Sequence, residues 1–84
     1  MSAQFTYSVA TPDKTVAQGE CDFMVVPTMR GEMGIQASHA ALLVPVVPGE
    51  LRITKSDRVE KIRVGRGMLH VEDNSVSLFI RSEA

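Results

Sequence analysis

The stretch "VEKIRVGRGMLHVEDNSVSLFI", Val59 to Ile80, decides the fold. Apolar residues recur at alternate positions: Ile62 and Val64, then Leu69 and Val71, then Val76, Leu78 and Ile80. A two-residue period puts successive side chains on opposite faces of a strand, whereas a helix repeats every 3.6 residues. Glu72 to Ser75, "EDNS", interrupts the pattern with residues that tolerate left-handed φ, as a turn between two strands does. In the last strand Phe79 falls on the face opposite Val76, Leu78 and Ile80.

The same alternation extends towards both earlier segments. Phe5, Tyr7 and Val9 point one way, Gln4, Thr6 and Ser8 the other. Thr11-Pro12-Asp13 supplies turn chemistry, because proline fixes φ and lacks a donor. A second strand is expected from Lys14 to Ala17, continuing past Gly19 as Cys21 to Val26 and ended by Pro27. Leu51 and Ile53 alternate with Arg52 and Thr54. Ser38 to Val44 has the makings of a helix start with Ser38 as cap, but Pro45 stops it within two turns. Short strands with turn signals between them make a single all-β domain, a sandwich or a barrel, over residues 1–84.

Bulk properties exclude several function classes. Nine Lys and Arg against ten Asp and Glu leave a net charge of −1, with no basic excess to neutralise phosphates, so nucleic acid is not an expected partner. The four aromatics do not interleave with a basic stripe, so single-strand stacking is unsupported too. No apolar run approaches the ~20 residues of a membrane span, and "MSAQFTYSV" lacks the charge-then-apolar order of a signal peptide. A single cysteine, Cys21, rules out an intrachain disulfide and fits a reducing compartment. A soluble, intracellular domain without direct membrane insertion is expected.

Residues with chemical potential are few. Cys21 sits beside Asp22, whose carboxylate raises a thiol pKa and works against a nucleophile. His39 and His70 have no zinc-type spacing to each other or to Cys21, and "GEMG" and "GRG" match no phosphate-binding loop. No catalytic residue, metal or cofactor is expected. In "GEMGIQASHAALLVPVVPGELRI" (31–53), Glu32 and His39 stand among Met29, Met33 and Ile35 on what reads as a loop, where partner contacts concentrate.

These residues carry a resemblance. Val26-Pro27, Gly31-Glu32-Met33-Gly34-Ile35, His39-Ala40-Ala41-Leu42 and Pro48-Gly49-Glu50-Leu51-Arg52-Ile53, in this order and spacing, resemble the N-terminal β-sandwich of the ε subunit of the F-type ATP synthase. "VATPDKTVAQGECDFMVVP" and "VGRGMLHVEDNSVSLF" are similar to the family's opening and closing hairpins. The family usually has glycine at positions 28 and 38, proline at 37 and 41, and a Gly-Gly pair at 66–67. Thr28, Ser38, Ala37, Ala41 and Arg66 depart from this, so different loop stiffness is expected. The family's usual form adds a C-terminal helical hairpin. This chain stops at Ala84, so regulation by those helices is not carried over.

The resemblance implies a flattened β-sandwich of about ten short strands at the foot of the central stalk. It implies a non-catalytic rotor subunit that couples rotation of the membrane c-ring to the γ subunit and so to ATP synthesis and ion transport. It implies a peripheral location on the inner face of an energy-coupling membrane. Met29, Arg30, Glu32, Met33 and His39 would meet the c-ring loops, and Val44 and Val46 the γ subunit. Two other readings stand beside it: a small β-barrel binding an unrelated ligand, and an enzyme using His39 with Cys21.

Overall fold

Alternation along each segment resolves into nine strands among residues 3–81, the part that the structure, a computed structural model, describes. The ends of the domain expected over 1–84 lie outside those residues. The strands are β1 (Phe5–Ala10), β2 (Thr15–Cys21), β3 (Phe23–Thr28), β4 (Gly31–Gln36), β5 (Leu42–Val46), β6 (Gly49–Lys55), β7 (Arg58–Val64), β8 (Gly67–Glu72) and β9 (Ser75–Ile80).

Hydrogen bonding links them in the order β2-β1-β9-β8-β5-β3-β6-β7, with β4 on the free side of β3. The β5–β3 link is one bridge, Thr28 to Val46. There the path folds into two layers, β2-β1-β9-β8-β5 and β4-β3-β6-β7. Inward-pointing residues fill the space between them. Val9, Leu69, Val71 and Leu78 from one layer meet Met24, Val26, Ile35, Leu51 and Val64 from the other, all buried. The alternating faces expected for Phe5 and Val9, Leu51 and Ile53, and Val76, Leu78 and Ile80 are the buried ones, and Phe79 is exposed. The fold is an all-β sandwich.

Three sequence expectations are corrected. Cys21 and Phe23 do not share a strand, because Asp22 breaks the run into β2 and β3. Pro27 does not end β3, and Pro45 stops no helix but lies within β5. Both prolines are tolerated for one reason. A residue's nitrogen and carbonyl point to the same side of its strand, and both carbonyls face the corner where the sheets part. Val47 N donates to the Pro27 carbonyl at 3.0 Å and Met29 N to the Pro45 carbonyl at 3.3 Å. The missing donors therefore face a place where the ladder is already broken. Third, Gly31–Gln36 is a strand paired along its length with β3, not a loop.

β1 and β9 pair in parallel, from Thr6 with Ser75 to Ala10 with Phe79. The turns cluster at two ends of the sandwich. One end holds the β3–β4 and β5–β6 turns, the other the β6–β7 and β8–β9 turns. Asp73 (φ 52°) and Asn74 (φ 58°) both adopt the left-handed conformation that a two-residue hairpin needs.

Candidate functional site

The β3–β4 hairpin carries most of the residues singled out above. Thr28 is a buried polar residue whose hydroxyl works on both sides of the turn. Its Oγ1 donates to the Gly31 carbonyl at 2.7 Å and accepts from Arg30 N at 3.1 Å. Gly31 closes the turn at φ 100°, a conformation that L side chains rarely adopt. Thr28 thus locks the turn with two hydrogen bonds. Met29 is thereby held out in solvent at 66% exposure, and Arg30 beside it is exposed.

Glu32 follows at the start of β4. Arg52 Nη2 donates to its Oε1 at 3.4 Å, and Arg52 Nη1 lies 3.7 Å from Glu50 Oε1. One guanidinium thus stands between two carboxylates on the outer face of the β4-β3-β6-β7 layer. Met33 points the other way and packs against the core, partly buried.

His39 does not join this group. β4 carries the chain away from the hairpin tip, and His39 lies beyond its far end, beside the β8–β9 turn. Its neighbours around a shallow hollow are Ser38, Ala41, Glu72, Asp73 and Asn74. His39 Nδ1 donates to the Ala40 carbonyl at 2.8 Å. Ser38, at φ 66°, gives its N–H to Asn74 Oδ1 at 2.6 Å. The expectation that Glu32 and His39 share one end of the sandwich is therefore corrected: a strand separates them.

Val44 and Val46 are buried at 6% and 2% exposure, so their side chains belong to the core. The outward residues of β5 are Leu43 and Pro45. Register extends this surface across the sheet: Pro45 pairs with Met68, Met68 with Phe79, and Phe79 with Ala10. Leu43, Met68 and Phe79 are exposed large apolar residues on that face. Phe79 was legible as out of phase with its strand. Leu43 carried the same signal within the run Leu42–Val46, masked because Leu42 and Val44 flank it.

The cysteine offers no chemistry. Cys21 is buried, and burial first, then the Asp22 carboxylate, pushes its thiol up to about 11. A thiol so raised is protonated near neutrality and is a poor nucleophile. Among the described residues no group of three or more His, Cys, Asp or Glu is placed to hold a metal. No helix of the described residues is long and apolar enough to cross a membrane.

Fold and surface define a small β-sandwich whose polar and apolar features lie on open faces. Residues 4–82 match the family described as ATP synthase, Delta/Epsilon chain, beta-sandwich domain, and the chain belongs to that family. It is 37% identical over 78 residues to the ATP synthase epsilon chain of Desulfitobacterium hafniense (strain DSM 10664 / DCB-2), covering 93% of this chain and 59% of that protein. The chain therefore spans less than two thirds of this relative. In fold it is similar to a chain of the Euglena gracilis mitochondrial ATP synthase, OSCP/F1/c-ring, with a TM-score of 0.90 at 22% identity, covering 100% of this chain and 54% of that one. It is also similar to a chain of the central stalk/c-ring of the Tetrahymena thermophila mitochondrial ATP synthase, with a TM-score of 0.79 at 20% identity, covering 96% and 66%.

Proposed function

We propose that this chain acts as a central-stalk subunit of an F-type ATP synthase, binding γ and the c-ring and turning with them without catalysing a reaction. The observation that supports this best is membership of the δ/ε β-sandwich family over residues 4–82. In this reading the protein is peripheral to an energy-coupling membrane, on its inner face, and its contribution is mechanical. A hydrogen-bonded sandwich resists shear, so torque passes between ring and stalk without slip. The tip residues Met29, Arg30 and Glu32 meet the ring loops, with Met33 behind them bracing β4. Methionine suits such a contact, because its flexible thioether adapts to a moving surface. His39, at the far end, lies outside this contact.

The γ contact expected at Val44 and Val46 passes to the outward face of the same strand, through Leu43, Met68 and Phe79. Contiguous exposed apolar surface of this kind marks protein interfaces. Mixing the 84-residue chain with γ and passing the mixture through a sizing column tests the reading. Co-elution at one-to-one that Phe79→Asp abolishes, with the variant's melting temperature unchanged, is the expected result. No complex at tens of micromolar would leave the family membership standing and remove the rotor role.

A further inference from the structure

We propose that Arg52 is an exchangeable clasp for Glu32: in the free protein it is shared between this carboxylate and Glu50, and it stays with Glu50 alone when Glu32 engages a cationic side chain of a partner loop. The inference rests on the reading that the hairpin tip faces such a loop.

The geometry supplies both halves of the exchange. Arg52 reaches Glu32 through Nη2 at 3.4 Å and Glu50 through Nη1 at 3.7 Å, so each carboxylate has its own amino group. Glu50 and Arg52 are two residues apart on β6 and share its outer face. Glu32 arrives from β4, on the far side of β3, where its register partner is Pro27. The three side chains are not equally accessible. Glu32 is 60% exposed, whereas Arg52 and Glu50 are each 36% exposed. An approaching cation therefore meets Glu32 first.

Two carboxylates around one guanidinium leave the triad with one excess negative charge. A partner Arg or Lys makes up the difference. Glu32 turns to the incoming cation, Arg52 stays with Glu50, and neither side chain is left without a counter-charge. Without Glu50 the same move would strand Arg52, whose register neighbour on β7 is another cation, Lys61. Arg63, the register partner of Glu50, adds a further positive charge on that side. Lys61 and Arg63 repel a basic loop arriving over β7, so the approach is from the β4 edge, on which Glu32 lies.

Equilibrium binding of the full chain and its variants to a purified γ–c-ring rotor in detergent, at fixed ionic strength, tests the clasp. Exposed ion pairs are weak, so effects of about two- to fivefold are expected. Glu32→Gln weakens binding. Arg52→Gln strengthens it by releasing Glu32. Glu50→Gln weakens it, and this effect vanishes in the Arg52→Gln background, because no guanidinium remains to be received. A purely long-range effect of charge would instead make the Arg52 and Glu50 substitutions additive. Additivity, or weaker binding by Arg52→Gln, overturns the clasp while the Glu32 contact stands. A Glu32→Gln variant that binds like the parent overturns the tip contact itself, and the clasp with it.

Discussion

Ser38 shows how a single residue can carry local strain in this domain. Its φ of 66° is left-handed, and a side chain there costs about 1–2 kcal/mol. The loop keeps that conformation because the Ser38 N–H is held by Asn74 across the β8–β9 turn. Glycine would accept the angle freely and retain the hydrogen bond, which uses only the backbone of residue 38. Its greater freedom in the unfolded chain takes back about 0.4–1 kcal/mol. Ser38→Gly is therefore expected to stabilise the protein by about 0.5–1 kcal/mol. A rise in the urea midpoint at unchanged slope would show it, and no rise would mean that the loop relaxes around serine.

Among the elements, the β8–β9 hairpin is tightly constrained where its two backbones approach. Gly67 packs so closely on β9 that a Cβ there would lie 2.0 Å from the Phe79 carbonyl oxygen. Backbone cannot yield as a flexible side chain does. Gly67→Ala is expected to cost about 2–4 kcal/mol and to lower the melting temperature by about 10 °C or more. Thermal unfolding followed by circular dichroism measures this directly, and a near-parental melting point would contradict the tight approach. The hairpin's strands were legible because Leu69 and Val71, and then Val76, Leu78 and Ile80, alternate on either side of an evident turn. β4 was not, although Met33 and Ile35 share a face. It is an edge strand with Glu32, Gly34 and Gln36 outward, so its polarity and two glycines imitate a loop. Pro27 and Pro45 misled because a sequence does not show which side of a strand lacks a neighbour. Glu32 was visible as a candidate through its motif. Its pairing with Arg52, twenty residues on, depends on sheet register, and so does the separation of Glu32 from His39.

For the molecule as a whole, high pH probes the integrity of the sandwich. The Cys21 thiol is raised from its ordinary 9.0 to about 11, and the Tyr7 hydroxyl is raised from 10.0, chiefly by burial and then by the Glu60 carboxylate. Both groups are neutral in either state well below pH 9, so their contribution is complete there. Above it the unfolded thiol ionises while the folded one stays protonated, and stability is lost until the folded thiol titrates near 11. Urea midpoints are expected to fall between pH 9 and 11. Cys21→Ala should make that fall shallower, leaving the part due to Tyr7. An identical slope in the variant would mean that the thiol is not what senses the pH.

The parallel pairing of β1 with β9 has a practical corollary for attaching probes. Because both strands run the same way, Phe5 and Ile80 stand at opposite poles of the sandwich. Ile80 shares its pole with Met29 and the hairpin tip, and Phe5 shares the other with His39. A fluorophore or affinity handle joined ahead of Phe5 leaves the tip unobstructed, whereas the same handle joined behind Ile80 crowds it. A dye at each pole would make the domain a built-in pointer, reporting which way the sandwich faces on whatever it is mounted.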